Sequence, residues 1–175
     1  AALLSEIPGV AWKLLLALLP TSQSWSSGSR KPSWREIIPD DWVDRATHEE
    51  YWAQIAGYAE LAIDASENDI AKLCELVKRL DDLPPPAAER LLSYLESGPV
   101  MSMPEPERLL LWSELLDLVT RHKKFADAHW ALRPEQLERV AAVAARLAPE
   151  TPAVRYQRLF SERDWDLYDE KGQYE

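Results

Sequence analysis

Val10-Ala-Trp-Lys-Leu-Leu-Leu-Ala-Leu-Leu19 is an apolar run that carries one charge, Lys13, and stops at Pro20. It predicts a helix from about Pro8 to Leu19, because proline cannot continue a helix beyond its first turn. The run is about half as long as the roughly 20 apolar residues that cross a bilayer, so it predicts a core helix. Its apolar residues lie on two sides of that helix, with Val10, Leu14, Ala17 and Leu18 on one side and Trp12, Leu15 and Leu19 on the other. Because the apolar arc is this wide, we expect burial on more than one side.

The rest of the chain predicts one helix after another. It has only five glycines, and its thirteen prolines mostly fall between apolar runs, so it lacks the turn residues that β-hairpins need. Helix starts at Ser66, Pro84 and Ser102 are evenly spaced, which favours short helices in antiparallel pairs. We therefore expect an all-α fold of about seven helices, an irregular helical solenoid or bundle, with one long loop after the first helix.

Local signals predict where these helices begin and end. Thr47-His-Glu-Glu50 and Ser102-Met-Pro-Glu105 are capping-box patterns, and Ser66-Glu-Asn-Asp69 restarts the chain in the same manner. Gly98-Pro99 predicts a helix end, with glycine as a left-handed cap and proline blocking further propagation. Further helix boundaries are expected at Pro84 to Pro86, between Asp127 and Pro134, and at Thr151-Pro152.

These elements predict a single all-helical domain over residues 1–160, with the loop 20–46 inserted after the first helix. Residues 161–175 form an acidic C-terminal tail, which we expect to be partly ordered against the body. The chain starts with Ala1 inside an apolar Leu3-Leu4 pattern, which is typical of a domain taken from the middle of a longer protein.

The overall charge limits the class of partner. A net charge of -10 and an isoelectric point near 4.9 oppose a nonspecific grip on nucleic acid or on an anionic membrane. A single cysteine, Cys74, allows no disulfide within the chain, and we expect it to be a buried, inert thiol. The first residues lack the basic and apolar pattern of a signal peptide, so we expect a cytoplasmic protein. Because of the net negative charge, we expect no nucleic-acid partner and no membrane partner.

The loop after the first helix carries the main candidate binding residues, Trp25, Arg30, Lys31, Trp34 and Arg35. Tryptophan and arginine are enriched at the energetically important centres of protein interfaces, and a loop of this length is uncommon in a compact domain. The loop therefore predicts a surface for another protein or for a neighbouring domain. The alternative is a structural strap in which Trp34 anchors the loop to the body and the basic side chains pair with the chain's surplus acids.

The histidines give a second candidate site. An alternative pocket would gather His122, His129 and Trp130 with nearby acids, as in a ligand-binding or enzymatic bundle. His122 and His129 are seven residues apart, two helical turns, which is too far for shared metal coordination without further ligands. No zinc pattern, nucleophile elbow or phosphate-binding loop is present, so we expect no metal, no cofactor and no catalytic residue in this chain.

Two stretches resemble known proteins. Residues 10–20 with Lys31-Pro-Ser-Trp-Arg35, and residues 122–131 with 147–149 and 159–160, are similar to segments in the helical regions of large, poorly characterised bacterial proteins. Those proteins often carry an NTPase or sirtuin-like module elsewhere, and they resemble the signal-transducing NTPases of bacterial regulation and antiphage defence. The resemblance covers less than half of the chain and implies a helical accessory or sensor region, with no catalytic residue to transfer.

Three functions follow as hypotheses. The first is a noncatalytic protein-interaction or sensor module within a larger bacterial protein. The second is the ligand-binding or enzymatic bundle, and the third is a structural spacer between domains. An exposed apolar edge near Leu3 and Leu4, together with scattered histidines, would favour the first, whereas convergence of His122, His129 and carboxylates on a cavity would favour the second.

Overall fold

The computed structural model describes residues 6–21, residues 47–151 and Arg155. Within these residues the regular structure consists of seven α-helices and one 3-10 helix, with no strand, and the all-α prediction is confirmed. Outside the described residues lie residues 1–5, 22–46, 152–154 and 156–175. These include most of the predicted loop 20–46, most of the helix expected from Thr151-Pro152, and the acidic tail.

The helices follow the predicted order closely. They are α1 (Pro8–Leu18), α2 (His48–Ser66), α3 (Ile70–Val77), α4 (Pro85–Leu95), α5 (Gly98–Met101), α6 (Glu105–Lys124) and α7 (Pro134–Leu147), with the 3-10 helix Leu80–Asp82 between α3 and α4.

The capping box at the start of α2 is confirmed. The Thr47 hydroxyl accepts a hydrogen bond from the Glu50 amide at 3.1 Å, and the Glu50 carboxylate accepts one from the Thr47 amide at 2.8 Å. The next helix starts at a different residue from the one predicted. Asp69, not Ser66, caps α3 by accepting from the Lys72 amide at 3.2 Å, because Ser66 is buried as the last residue of α2 and donates to the Ile63 carbonyl.

Two predicted boundaries are wrong. Gly98-Pro99 does not close α4, which ends at Leu95 with Glu96 still in a right-handed conformation. The pair instead begins α5. Proline is tolerated there because an amide in the first turn has no hydrogen-bond partner within its own helix. Ser102 does not cap α6, because its hydroxyl donates to the Pro99 carbonyl at 3.1 Å and Pro104 occupies the cap position.

The helices pack in two rows around one core. α2, α4 and α7 lie side by side in one row and α3 and α6 in the other, while α2 packs across on α3 and α6 across on α7. The helix α6 lies between α3 and α7 and packs against both. Its buried residues are Leu111, Trp112, Leu115, Leu116, Leu118, Val119, Thr120 and His122.

The first helix differs from the expectation of burial on two sides. Trp12 and Leu15 are buried, with Ala11 and Leu19, where α1 contacts the body. Val10, Leu14 and Leu18 on the other side are exposed. The prediction failed because apolarity around a helix shows which faces need cover, whereas the positions of the other helices decide which face receives it.

Truncating a core residue of α6 should destabilise the fold far more than truncating an exposed residue of the same helix. Leu115 is fully buried, and Leu115→Ala should lower the free energy of unfolding by about 2–5 kcal/mol, through lost burial and the cavity left behind. Leu110 is 58% exposed, and Leu110→Ala should change the same quantity by no more than about 0.5 kcal/mol. Urea denaturation measures both; equal effects would contradict the central placement of α6.

Candidate functional site

The residues predicted for the binding loop, Trp25, Arg30, Lys31, Trp34 and Arg35, lie outside the described residues, so that prediction stays a prediction. The residues of the alternative pocket, His122, His129 and Trp130, all lie within the described residues. The structure brings His122 and Trp130 together, with ring centroids 5.2 Å apart in an edge-to-face arrangement. It leaves His129 exposed, away from this contact.

His122 is a buried side chain that supports the fold. Its Nδ1 accepts a hydrogen bond at 3.0 Å from the amide of Leu132, a residue in the connection between α6 and α7. Burial, reinforced by the neighbouring charge of Arg121, lowers the pKa of His122 to about 4, so the ring is neutral at pH 7. A neutral ring with Nδ1 already engaged fixes this connection to the end of α6.

Asp81 and Arg121 complete this buried cluster. The Arg121 guanidinium lies 3.4 Å from one Asp81 carboxylate oxygen, and His122 Nε2 lies 3.8 Å from the other. Burial raises the pKa of Asp81, while the positive charge of Arg121 acts in the opposite direction. Arg121 also stands over the Trp130 ring, 5.8 Å from its centroid. The cluster therefore joins the 3-10 helix, α6 and the following connection.

Metal coordination finds no support in this arrangement. Among the described residues, no three His, Cys, Asp or Glu side chains come together as metal ligands would. Cys74 is buried, and burial raises the pKa of its thiol to about 11, with a smaller contribution from Glu114. The thiol is thus protonated at neutral pH and a poor nucleophile.

The more informative feature is the outer side of α1. Ile7, Val10, Leu14 and Leu18 are 51%, 61%, 46% and 39% exposed, and their spacing of three and four residues places them on one face. No helix among the described residues has the length and apolarity that a membrane span requires. The stripe is the exposed side of a short helix that packs against the body on its other side.

Two hydrogen bonds to α3 and its end fix the rotation of α1. The Trp12 indole Nε1 donates to the Glu75 carboxylate at 2.5 Å, and Arg79 Nη1 donates to the Leu16 carbonyl at 2.8 Å. The Lys72 ammonium also lies 5.9 Å from the Trp12 ring centroid. Because these contacts all lie on the inner side of α1, the opposite side has to face outward.

The order of these contacts also sets the direction of α1. Trp12 meets Glu75 and Leu16 meets Arg79, so α1 and α3 run in the same direction. α2 and α3 pack together after a connection of residues 67–69, as an antiparallel helical hairpin. α1 therefore runs antiparallel to α2, so its Leu18 end points toward the first turns of α2.

Two exposed aromatic residues lie in those first turns. Tyr51 and Trp52 are 46% and 43% exposed, and their rings meet edge to face at 5.5 Å. The Trp52 indole donates to His48 Nε2 at 3.0 Å, which holds the ring at the helix start. We define the apolar face as these two aromatic side chains together with the outer stripe of α1: Ile7, Val10, Leu14, Leu18, Tyr51 and Trp52.

Sequence reasoning noticed the residues of this face but assigned several of them to the core. The side of α1 with Val10, Leu14 and Leu18 was expected to be buried. The only usable signal was that α1 is apolar almost all round, which shows a surplus of apolar surface without showing which part stays uncovered. The expected apolar edge near Leu3 and Leu4 lies outside the described residues, so it stays a prediction.

Comparisons with protein-family models, with curated proteins and with solved structures find no match for this chain. The resemblance to helical regions of large bacterial proteins therefore stays a prediction. The apolar face and the cluster around His122 are the two features of the described residues that bear on function.

The buried histidine predicts a pH dependence of stability. Its pKa is lower in the folded chain, about 4, than in the unfolded chain, about 6.5, so the unfolded chain gains the proton first as the pH falls. Lowering the pH from 7 to 5 should therefore decrease the free energy of unfolding by up to about 2 kcal/mol. The raised pKa of Asp81 acts with the opposite sign and offsets part of this loss.

His122→Leu should flatten this pH dependence and, at pH 7, destabilise the chain by about 1–3 kcal/mol, because the Leu132 amide loses its acceptor. His129→Asn is the matched control, since His129 is exposed and its replacement should leave the slope unchanged. Urea denaturation at pH 5, 6 and 7 gives both quantities. An unchanged slope in His122→Leu would show that another group governs the pH dependence.

Proposed function

We propose that this chain is a noncatalytic protein-interaction module that binds a partner protein, or a neighbouring domain of a longer chain, through the apolar face. The observation that carries the proposal is the outward stripe of α1 next to Tyr51 and Trp52. Six large apolar side chains, along α1 and at the start of α2, are between 39% and 61% exposed. Soluble monomers rarely present such contiguous apolar surface without a function for it.

The composition of the face suits protein recognition. Aromatic side chains supply large contact areas with few rotatable bonds, and burying apolar area contributes roughly 25 cal/mol per Å². The rigid attachment of α1 through Trp12 and Arg79 limits the ordering that binding would otherwise require. The face is thus preorganised for a partner that covers it.

The buried cluster supports a noncatalytic assignment for this chain. His122 uses Nδ1 to hold the Leu132 amide, and its ring is buried against Trp130 and Asp81. A general base needs an accessible nitrogen within hydrogen-bond reach of a substrate proton, and neither condition fits this ring. With the resemblance to accessory regions of bacterial signalling proteins, these features favour an interaction or sensor role within a larger cytoplasmic protein.

Photo-crosslinking in the native cells tests the proposal. A benzoylphenylalanine in place of Leu14 should yield one discrete covalent adduct with a partner, or one discrete internal link to a neighbouring domain. The same group in place of Leu110 is the matched control, because Leu110 is an exposed leucine on α6, outside the apolar face. It should yield no such adduct.

A second substitution in the face makes the test specific. Leu18→Ser removes apolar contact area, so the adduct formed from position 14 should decrease by about tenfold. Leu110→Ser should leave that adduct unchanged. Equal labelling from positions 14 and 110, or an adduct that is insensitive to Leu18→Ser, would contradict the proposal.

A further inference from the structure

A groove lies beside the apolar face, between α1 and α3. It has a volume of about 420 Å³, and its lining residues are Lys13, Leu16, Ala17, Glu75, Lys78 and Arg79. Ala17 borders the outer stripe of α1, because Leu14 is three residues before it and Leu18 is the next residue. The apolar face and the groove therefore form one continuous surface.

The groove is positively charged in an acidic protein. It presents three cationic side chains and one carboxylate, although the chain as a whole carries a net charge of -10. Glu75 is already engaged by the Trp12 indole, and Lys78 pairs with Glu114 at 3.0 Å. Lys13 makes no ion pair within the described residues, and Arg79 donates to the uncharged Leu16 carbonyl, so among the described residues neither charge is paired with a carboxylate.

Two carboxylates precede the aromatic pair. Glu49 and Glu50 are exposed in the first turn of α2, next to Tyr51 and Trp52. A ligand that extends from the groove to the start of α2 therefore meets positive charge at the groove and negative charge at the helix start. This polarity distinguishes one flank of the ligand from the other.

We infer that the occupant of this surface is an amphipathic helix of another protein, with its apolar stripe on α1 and an acidic flank in the groove. Its carboxylates meet Lys13 and Arg79. The inference rests on the proposed function and specifies the chemistry of the partner. Helices that bind by an apolar stripe are recognised through side chains at three-and-four spacing, which is the spacing that α1 itself presents.

A second copy of the chain fits this surface less well. Each copy would bring the same three cationic side chains, Lys13, Lys78 and Arg79, to the seam. The two copies would also bring together two bodies that are each strongly acidic. An external acidic helix satisfies the groove without bringing a second acidic body of this kind.

Two synthetic peptides test the inference by calorimetric titration of the full chain. Both are helices of about 18 residues with the same leucine stripe; one carries glutamates along one flank and the other carries lysines at those positions. The glutamate peptide should bind about tenfold more tightly than the lysine peptide, and added salt should reduce this difference.

Reversal of one charge in the groove provides the sharper comparison. Lys13→Glu should weaken the glutamate peptide by about tenfold and strengthen the lysine peptide, because Lys13 is exposed and its replacement leaves the contacts of α1 with α3 intact. Arg133→Glu is the matched control: Arg133 is exposed at the start of α7, outside the groove, and both affinities should be unchanged. Circular dichroism confirms that both variants are folded.

Several outcomes would overturn the inference. Equal binding of both peptides, or binding of neither, would exclude an acidic helix as the occupant. A dimer in sedimentation experiments that Leu14→Ser dissociates would assign the surface to a second copy. Binding to phosphatidylserine vesicles that Lys13→Glu abolishes would assign it to a membrane surface. The proposed function fails separately, through the photo-crosslinking at position 14, which does not depend on the charge of the partner.

Discussion

The hydrogen bond from the Trp12 indole to Glu75, together with that from Arg79 to the Leu16 carbonyl, is the constraint on which the exposure of the apolar face depends. Helix α1 is apolar on almost every side, so apolar burial alone does not select which side faces the body. Hydrogen bonds are directional, and these two fix one rotation of the helix. The remaining apolar side is then held outward, at a free-energy cost that a binding partner can recover.

The other helices form the packed core against which α1 lies. The core runs from α2 to α7 through fully buried leucines such as Leu91 and Leu115, and the cluster around His122 fastens the connection after α6. Within this cluster His122 is buried, and Asp81 and Arg121, which are partly buried, lie 3.4 Å from each other. The molecule thus separates a polar, buried cluster that maintains the fold from an apolar, exposed face that is available for recognition.

The sequence predicted the features that depend on local chemistry. The all-α class and the capping box at Thr47 follow from periodicity and from side-chain reach to nearby amides, and the structure confirms them. Gly98 was misread because a glycine-proline pair can either end one helix or begin another, and the choice depends on how the chain packs afterwards. The exposed side of α1 could not be predicted, since exposure is decided by neighbours that are distant in sequence.

Thiol labelling measures the rotation of α1 most directly. Leu14→Cys and Leu15→Cys place a thiol on adjacent residues, one 46% exposed and one buried. Cys74 adds little background, since burial raises the pKa of its thiol to about 11. The cysteine at position 14 should react with an aromatic disulfide reagent about as fast as a free thiol, and that at position 15 should react at least about a hundredfold more slowly. Similar rates at both positions would contradict the account: fast labelling would mean that α1 is not docked, and slow labelling that its outer side is covered.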